Sequence, residues 1–422
     1  MSSRNFFYGW IVLAAAFAIV AVAVGTLFSL GVFLKPLGAA MGWSRSSISA
    51  VAFFNWIIMG AGSLFWGNLS DRIGTRRVAT MGGLVLGVGL VLSSQVTALW
   101  QFFATFGLLV GLGVSAFYVP LTSTATKWFI TNRGLAVGLV SSGIGFGVLT
   151  ISPLSRWFIS TYDWRVAMLL LGILAWIVII PAATLVRNSP DEVAAGYSSR
   201  AIPDGPRFTA RETLRSFPLW VIALTHFACC TAHSGPIFHM VANATDRGIA
   251  QMAAASVFGV SGLSSIAGRI GLGMLGDRIG AKVVLVGGLL AQAVMILSYV
   301  VAEDLATFYL LALLFGVTYG GVMPLYAVVT REYFGEQVMG TAYGAVFFIS
   351  SVGMGIGSYA GGWVYDHLGS YTWLYLGSFA VGGMGAVLAG TLRPPRTVPT
   401  PFGPSTLQPS ARAPASDPGP VL

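Results

Sequence analysis

The chain has 422 residues, 55% of them hydrophobic and only 9% charged, with a mean hydropathy of +0.79. Soluble domains carry about 25% charged residues, so a water-soluble globular protein is excluded. The net charge of +9 does not point to nucleic acid, because the basic residues sit where membrane-orienting charges sit, and the two cysteines, adjacent in an apolar run, make neither a disulfide framework nor a metal site.

Apolar stretches long enough to cross about 30 Å of hydrocarbon as helices recur along the chain. The first six are predicted over 9–34, 47–69, 78–97, 100–126, 133–156 and 166–187. The opening stretch is too long for a signal peptide and more spans follow, so it reads as an uncleaved first span. A polar stretch with five arginines then divides the chain. Six further spans are predicted over 217–243, 251–275, 282–302, 305–330, 339–364 and 371–392. The tail after Leu392 is rich in Pro, Ser and Ala, the composition of a disordered segment. The expected fold is therefore an all-α membrane protein of twelve transmembrane helices, in two six-helix repeats around a central cavity. Its parts are an N-terminal half (1–187), a cytoplasmic linker (188–216), a C-terminal half (217–392) and a cytoplasmic tail (393–422).

Lysine and arginine placement sets the orientation. With both termini on one side, seventeen of the 23 basic residues fall on that side, five on the other, and Arg269 on neither. The first side is expected to be cytoplasmic, with the chain in the cell (inner) membrane.

The halves repeat. "GNLSDRIGTRR" (Gly67 to Arg77) and "GMLGDRIGAK" (Gly273 to Lys282) are near copies, and "KWFITNRGLAVG" and "REYFGEQVMGTAYG" hold matching places after the fourth and tenth spans. Parallel six-helix repeats are a transporter architecture, with substrate held at the midplane between halves that rock. Gly143, Gly145 and Gly147 in the fifth span match Gly353, Gly355 and Gly357 in the eleventh. Without a preceding strand these are close-packing faces, not phosphate loops.

The pattern G-x-x-x-D-R-x-G-x-R-R, carried by Gly67, Asp71, Arg72, Gly74, Arg76 and Arg77 and echoed by Asp277 and Arg278, resembles the cytoplasmic loop signature of the major facilitator superfamily. The resemblance covers about the whole membrane region. It implies that Asp71 meets a helix N-terminus or a neighbouring arginine and latches the cytoplasmic face. The plainer alternative is that these residues only fix topology and tighten a turn. "YGW" (Tyr8 to Trp10), "GVFLKPLGAAMGWSRSSIS" (Gly31 to Ser49) and "KWFITNRGLAVGLVSSGIGFG" (Lys127 to Gly147), taken together, resemble the monocarboxylate transporter family and the neighbouring oxalate/formate antiporter family.

Arg269 lies eight residues before Asp277, about 12 Å from the loop at 1.5 Å per residue and so near the bilayer middle. A charge there costs at least ~2.5–3.5 kcal/mol, and arginine cannot shed its proton. All fourteen acids sit in loops, near span ends or in the tail. The substrate's own anion is the natural counter-charge, because a guanidinium matches a carboxylate with two parallel hydrogen bonds. The alternative is a purely structural arginine bonded to backbone carbonyls. The matching residue of the first half is Ser63, so the charge is an asymmetric addition, which suits a ligand better than a shared scaffold.

The oxalate/formate antiporters pair the eighth-span arginine with a lysine on the eleventh, which this chain lacks. One buried cation suits one carboxylate, so a small monocarboxylate is expected. The animal monocarboxylate carriers carry an aspartate one turn before the arginine and a lysine on the first span. Here those places hold Ser265 and Phe28. Proton coupling is the expected mode, but those absences leave open anion exchange, uniport or a proton carried in by the acid itself.

Tyr118 and Tyr319, which resemble binding positions in bacterial monocarboxylate carriers, with Asn55, Phe28 and Phe347, are the expected remainder of the pocket. Tyr326 and Phe348 are further candidates. Buried aromatic groups of this kind also serve as plain packing. His226, His233 and His239 on the seventh span are read as packing or interfacial residues, with a proton relay as the alternative. A sugar carrier calls for several polar or acidic groups in the spans and a cationic-drug exporter for a buried acid; both are missing. No catalytic constellation is present, so no enzyme, cofactor or metal is expected. The expected partners are the organic anion, protons and the lipid bilayer, with no nucleic acid, and the chain is expected to be a monomer.

Overall fold

The computed structural model describes residues 7–129, 133–189, 209–335 and 338–393. The centre of the linker and the tail beyond Arg393 lie outside the described residues, as does the side chain of Asp71. Twelve helices are long and apolar enough to cross a membrane. We label them α1 (Gly9–Met41), α2 (Arg45–Ile73), α3 (Thr75–Ser93), α4 (Leu99–Trp128), α5 (Arg133–Thr161) and α6 (Trp164–Leu185) in the first half. The second half holds α7 (Phe217–Asp246), α8 (Gln251–Ile279), α9 (Ala281–Val301), α10 (Leu305–Phe334), α11 (Met339–Leu368) and α12 (Thr372–Thr391). The expected span count and the all-helical fold are both observed.

Local chemistry places the helix ends. Ser44, Asp163 and Asp304 each accept a backbone N–H three residues on, at 3.1, 2.7 and 3.0 Å, and so start α2, α6 and α10. The repeated loop motif is a helix-to-helix hairpin in both halves. Gly74 and Gly280 close it at φ 89° and 95°, a region that only glycine adopts without strain. We call this side of the molecule the loop face.

Two helices depart from regular geometry. α1 breaks at Ser29, where Gly9–Phe28 gives way to Leu30–Met41. α4 widens into a π-helical segment over Phe103–Val110.

The matched glycines are used as matched parts. Gly143 and Gly147 bring α5 against the α1 backbone at Phe17 and Ala21, while Gly145 between them meets Gly262 of α8. Gly353 and Gly357 bring α11 against the α7 backbone at Phe227 and Thr231, while Gly355 meets Phe53 of α2. A glycine every fourth residue builds the half. The one between them, on the other side of the helix, builds the seam.

The seams α5–α8 and α2–α11 are close from the helix middles to the face opposite the loop face, through Leu149–Gly259 and through Gly362 against Arg45 and Ser49. At the loop-face ends of α5, α8 and α11, Gly138, Gly271, Gly273 and Gly340 have no neighbour within 4 Å of where a Cβ would stand.

A methyl at Gly147 collides with the Ala21 carbonyl; overpacking costs about 1–3 kcal/mol, more than the roughly 1 kcal/mol that alanine gains over glycine in a helix. Gly147→Ala is therefore expected to lower the melting temperature in detergent. Gly138→Ala, which meets open space, is expected to leave it unchanged or raise it.

Candidate functional site

Arg269 lies on the inner side of α8 with only 8% of its surface exposed. Its Nε is buried and has no hydrogen-bond partner. No acid pairs with it, and the salt bridges among the described residues lie elsewhere. Tyr319 of α10 is in polar contact with the guanidinium, and Tyr118 of α4 and Tyr343 of α11 lie within its electrostatic reach. Three phenols from three helices thus lie near a cation that no acid pairs with, and Tyr319 is the one in contact with it.

Tyr319 is held from behind. Its ring stacks on Phe315 at 5.8 Å and 14°, and tilts against His233 at 5.0 Å. His233 is itself fixed by a 2.7 Å bond between Nδ1 and the Cys229 carbonyl oxygen. Ser265, one turn before Arg269, spends its hydroxyl on the Gly262 carbonyl at 2.7 Å and offers the cation nothing.

Two small adjoining cavities lie between the halves and share Phe28 and Ile237. One is walled by Asn55, Trp56, Phe106, Ser234 and Met354; the other reaches Tyr319 and Ser265. Arg269 lines neither, and stands one turn beyond the second on the loop-face side. Phe28 sits at the α1 break and bridges the halves, 5.8 Å from Trp56 and 6.5 Å from Phe258.

Asn55 is placed differently from expectation. Its Nδ2 donates to the Phe106 carbonyl at 2.8 Å, inside the π segment where backbone bonding is loosened, while its Oδ1 is buried and unpartnered. It organises the first cavity and is not brought to Arg269. Phe347 is half-buried one turn from Tyr343 and lines neither cavity. Phe348 packs beside Gly60 of α2, and Tyr326 stacks on His226 at 3.8 Å inside the second half. Tyr343 is the residue that sequence reasoning passed over. Its signal was its place one turn from Phe347, on a helix expected to line the cavity.

The side chain of Asp71, on which the expected latch turns, lies outside the described residues. Asp277 and Arg278 are exposed and Asp277 has no partner; Arg72, Arg76 and Arg77 are exposed. Among the described residues, a cluster of ion pairs lies on the other face. Asp246, ending α7, meets Lys35 of α1 at 2.7 Å and Arg45 of α2 at 2.6 and 3.0 Å. The Arg45 guanidinium lies 3.5 Å over the Tyr365 ring and donates to the Tyr371 hydroxyl at 2.6 Å. Asp366 of α11 accepts the Arg45 and Ser46 backbone N–H groups at 3.3 and 2.8 Å.

One direction of donation satisfies the groups behind Arg45. Burial pushes the Tyr371 phenol above its ordinary value, against the opposing pull of Arg45, so it keeps its proton. It accepts from Arg45 and donates to His239 Nδ1 at 3.0 Å, and His239 Nε2–H donates to the Ser358 carbonyl at 3.0 Å. His239 thus joins the seam as a neutral linker.

Comparison with known proteins agrees with this architecture. A family model described as Major Facilitator Superfamily matches residues 11–356 and, in a second placement, 222–417. Monocarboxylate transporter 13 of Rattus norvegicus is 29% identical over 389 residues, covering 90% of this chain and 88% of that protein. Monocarboxylate transporter 11 of Homo sapiens is 29% identical over 386 residues, covering 87% and 79%. An uncharacterised transporter of the same superfamily from Escherichia coli (strain K12), YhjX, is 25% identical over 343 residues, covering 80% and 82%. Among solved structures, a bacterial homologue of the human lysosomal transporter Spinster, in an inward-facing and unoccupied conformation, superposes with a TM-score of 0.66 at 15% identity, covering 92% of this chain and 94% of that one. With twelve spans in two matched halves, and relatives that are transporters and not enzymes, the chain belongs to the Major Facilitator Superfamily and is a multi-pass membrane transporter homologous to the monocarboxylate transporters.

Proposed function

We propose that the protein is a secondary carrier that moves a small monocarboxylate of the lactate or pyruvate size across the cell membrane by alternating access, in symport with a proton. The observation that carries this reading is Arg269, a buried guanidinium with an unpartnered Nε and no acid beside it. A permanent charge in hydrocarbon needs an anion, and the substrate supplies it. The single cation favours one carboxylate over the two of oxalate. The relatives named monocarboxylate transporters support the same class.

The loop face is read as cytoplasmic from its excess of lysine and arginine, which puts both termini there. The seams are closed on the opposite, outer side, so this is the state that receives or releases substrate inside. In it the carboxylate lies in the fork of Arg269 and takes hydrogen bonds from Tyr319 and Tyr118, while its short acyl tail points to the cavity walled by Phe28, Ile144 and Val148. Substrate neutralises the cation and lets the halves close over a site that is no longer charged. The aspartate and lysine of the animal carriers are replaced here by Ser265 and Phe28, so the coupled proton travels on a group other than these two while the carboxylate stays ionised in the fork of Arg269.

In proteoliposomes, Arg269→Ala is expected to cut kcat/KM for labelled lactate, pyruvate or acetate by at least 100-fold, since an unpaired buried carboxylate loses roughly 3 kcal/mol of charge-assisted bonding. Arg269→Lys, which keeps the charge but not the fork, is expected to fall in between. Uptake that survives Arg269→Ala, or uptake of oxalate alone, defeats the reading.

Tyr319→Phe keeps the ring on Phe315 and removes only the hydroxyl. KM is expected to rise about 3- to 10-fold, the effect of one hydrogen bond of ~1 kcal/mol, with an unchanged melting temperature. A pH gradient with the outside acid is expected to accelerate uptake; equal rates with and without it exclude proton symport.

A further inference from the structure

The Asp246 carboxylate is held as a bound ligand would be. Arg45 grips both of its oxygens, Nη1 on Oδ2 at 2.6 Å and Nη2 on Oδ1 at 3.0 Å, and Lys35 reaches Oδ1 at 2.7 Å. Lys35 also donates to Thr245 at 2.9 Å. Aromatic rings wall the guanidinium, Tyr365 at 3.5 Å and Tyr371 at 5.5 Å. The side chains of Arg45 and Asp246 are only 16% and 21% exposed. A planar fork, a second cation and an apolar wall are what recognises a small carboxylate.

The ownership of these groups matters. Both cations belong to the first half, on α1 and α2. The acid belongs to the second, on α7, as does Asp366, which caps α2 from α11. Opening the outer side must pull Asp246 away. Lys35 and Arg45 reach the same oxygen, so no more than two hydrogen-bond lengths separate them, and they are left together without a counter-charge. Like charges that close need an anion between them.

We propose that Lys35 and Arg45 form a second carboxylate site on the outer rim, filled by Asp246 while the outer side is sealed and by the transported class of monocarboxylate once it opens. This rests on the substrate class proposed above. Entry from outside then starts as an exchange of one carboxylate for another. External substrate binds the open rim and not the sealed one, so it shifts the population towards the outward-open state. The rim hands the anion on to Arg269, the next cation along the path.

The test reads opening without the central site. In intact cells, a cysteine at Ala52, which lines the sealed outer cavity, is labelled by a membrane-impermeant methanethiosulfonate reagent, in a chain with Cys229→Ser and Cys230→Ser. Arg269→Ala is included so that binding at the centre cannot account for any response. External lactate is expected to speed labelling at least threefold over the neutral analogue lactamide. Asp246→Asn is expected to raise the basal rate at least tenfold and remove the lactate response. Lys35→Gln keeps the Arg45–Asp246 pair and so the folded seam; it is expected to give an intermediate basal rate and a weaker response.

Equal rates in lactate and lactamide, or an Asp246→Asn basal rate no higher than that of the parent chain, overturn the outer site. Lactate uptake by the wild type, measured in parallel, keeps the two readings apart. Uptake with no labelling response removes the outer site alone, whereas no uptake of any monocarboxylate removes the substrate reading.

Discussion

A guanidinium cannot be neutral, and hydrocarbon does not tolerate it charged and alone. That constraint organises the molecule around Arg269. The groups near it take their partners elsewhere or brace one another. Ser265 bonds back to its own helix, Tyr319 is braced by Phe315 and His233, and no acid is brought within reach. An arginine that merely held the bundle together would have its Nε on a backbone carbonyl, and this one does not. On the function proposed above, an anion that completes this site would interact differently with the open and closed arrangements, the condition for binding to shift the population between them.

The outer rim solves the same electrostatic problem in the opposite way. There the cations have a protein carboxylate, but it belongs to the other half, so neutrality and closure coincide. Exposed ion pairs contribute little to stability, often less than about 1 kcal/mol. These are half-buried and shared among three charges, with Tyr365 stacked on the guanidinium. Modest strength is useful in a contact that must break in each cycle. A seam of apolar contacts and glycine-to-backbone approaches alone would give closure without any dependence on what is bound.

What was readable in the sequence follows from the range of the interactions. The twelve spans depend on hydropathy along one segment, and most stand within about five residues of the expected bounds, while α1 runs seven residues further, to Met41. The glycine triplets were legible as packing faces because a spacing of four marks one side of a helix. Arg269 was legible because a lone charge in an apolar run is anomalous in any context. The break at Ser29 and the π segment at Phe103–Val110 carry no local mark, and the role of Asn55 depends on the second of these. The Asp246 pairs join residues about 200 positions apart. Lys35 and Arg45 had registered only as orienting charges, although acids at the ends of α7 and α11 faced basic residues at the ends of α1 and α2. The loop motif shows the converse. Its turn glycines were readable and stand at positive φ, while Arg72, Arg76, Arg77, Asp277 and Arg278 stand exposed on the loop face.

The repeat explains why the chemistry can be asymmetric while the scaffold is not. Gly143, Gly145 and Gly147 and their counterparts Gly353, Gly355 and Gly357 make equivalent contacts, so each half is built and seamed by the same rule. On that frame, Ser63 and Arg269 are equivalent positions with opposite uses. Ser63 returns its hydroxyl to the Met59 carbonyl at 2.8 Å and satisfies itself. Arg269 keeps its buried Nε without a hydrogen-bond partner. Two equivalent cations facing one cavity from opposite halves would repel one another across it. One cation set against a self-satisfied serine gives a single off-axis anion position. The scaffold therefore repeats while the charge does not: the same glycine contacts recur in both halves, and the buried guanidinium stands in one of them alone.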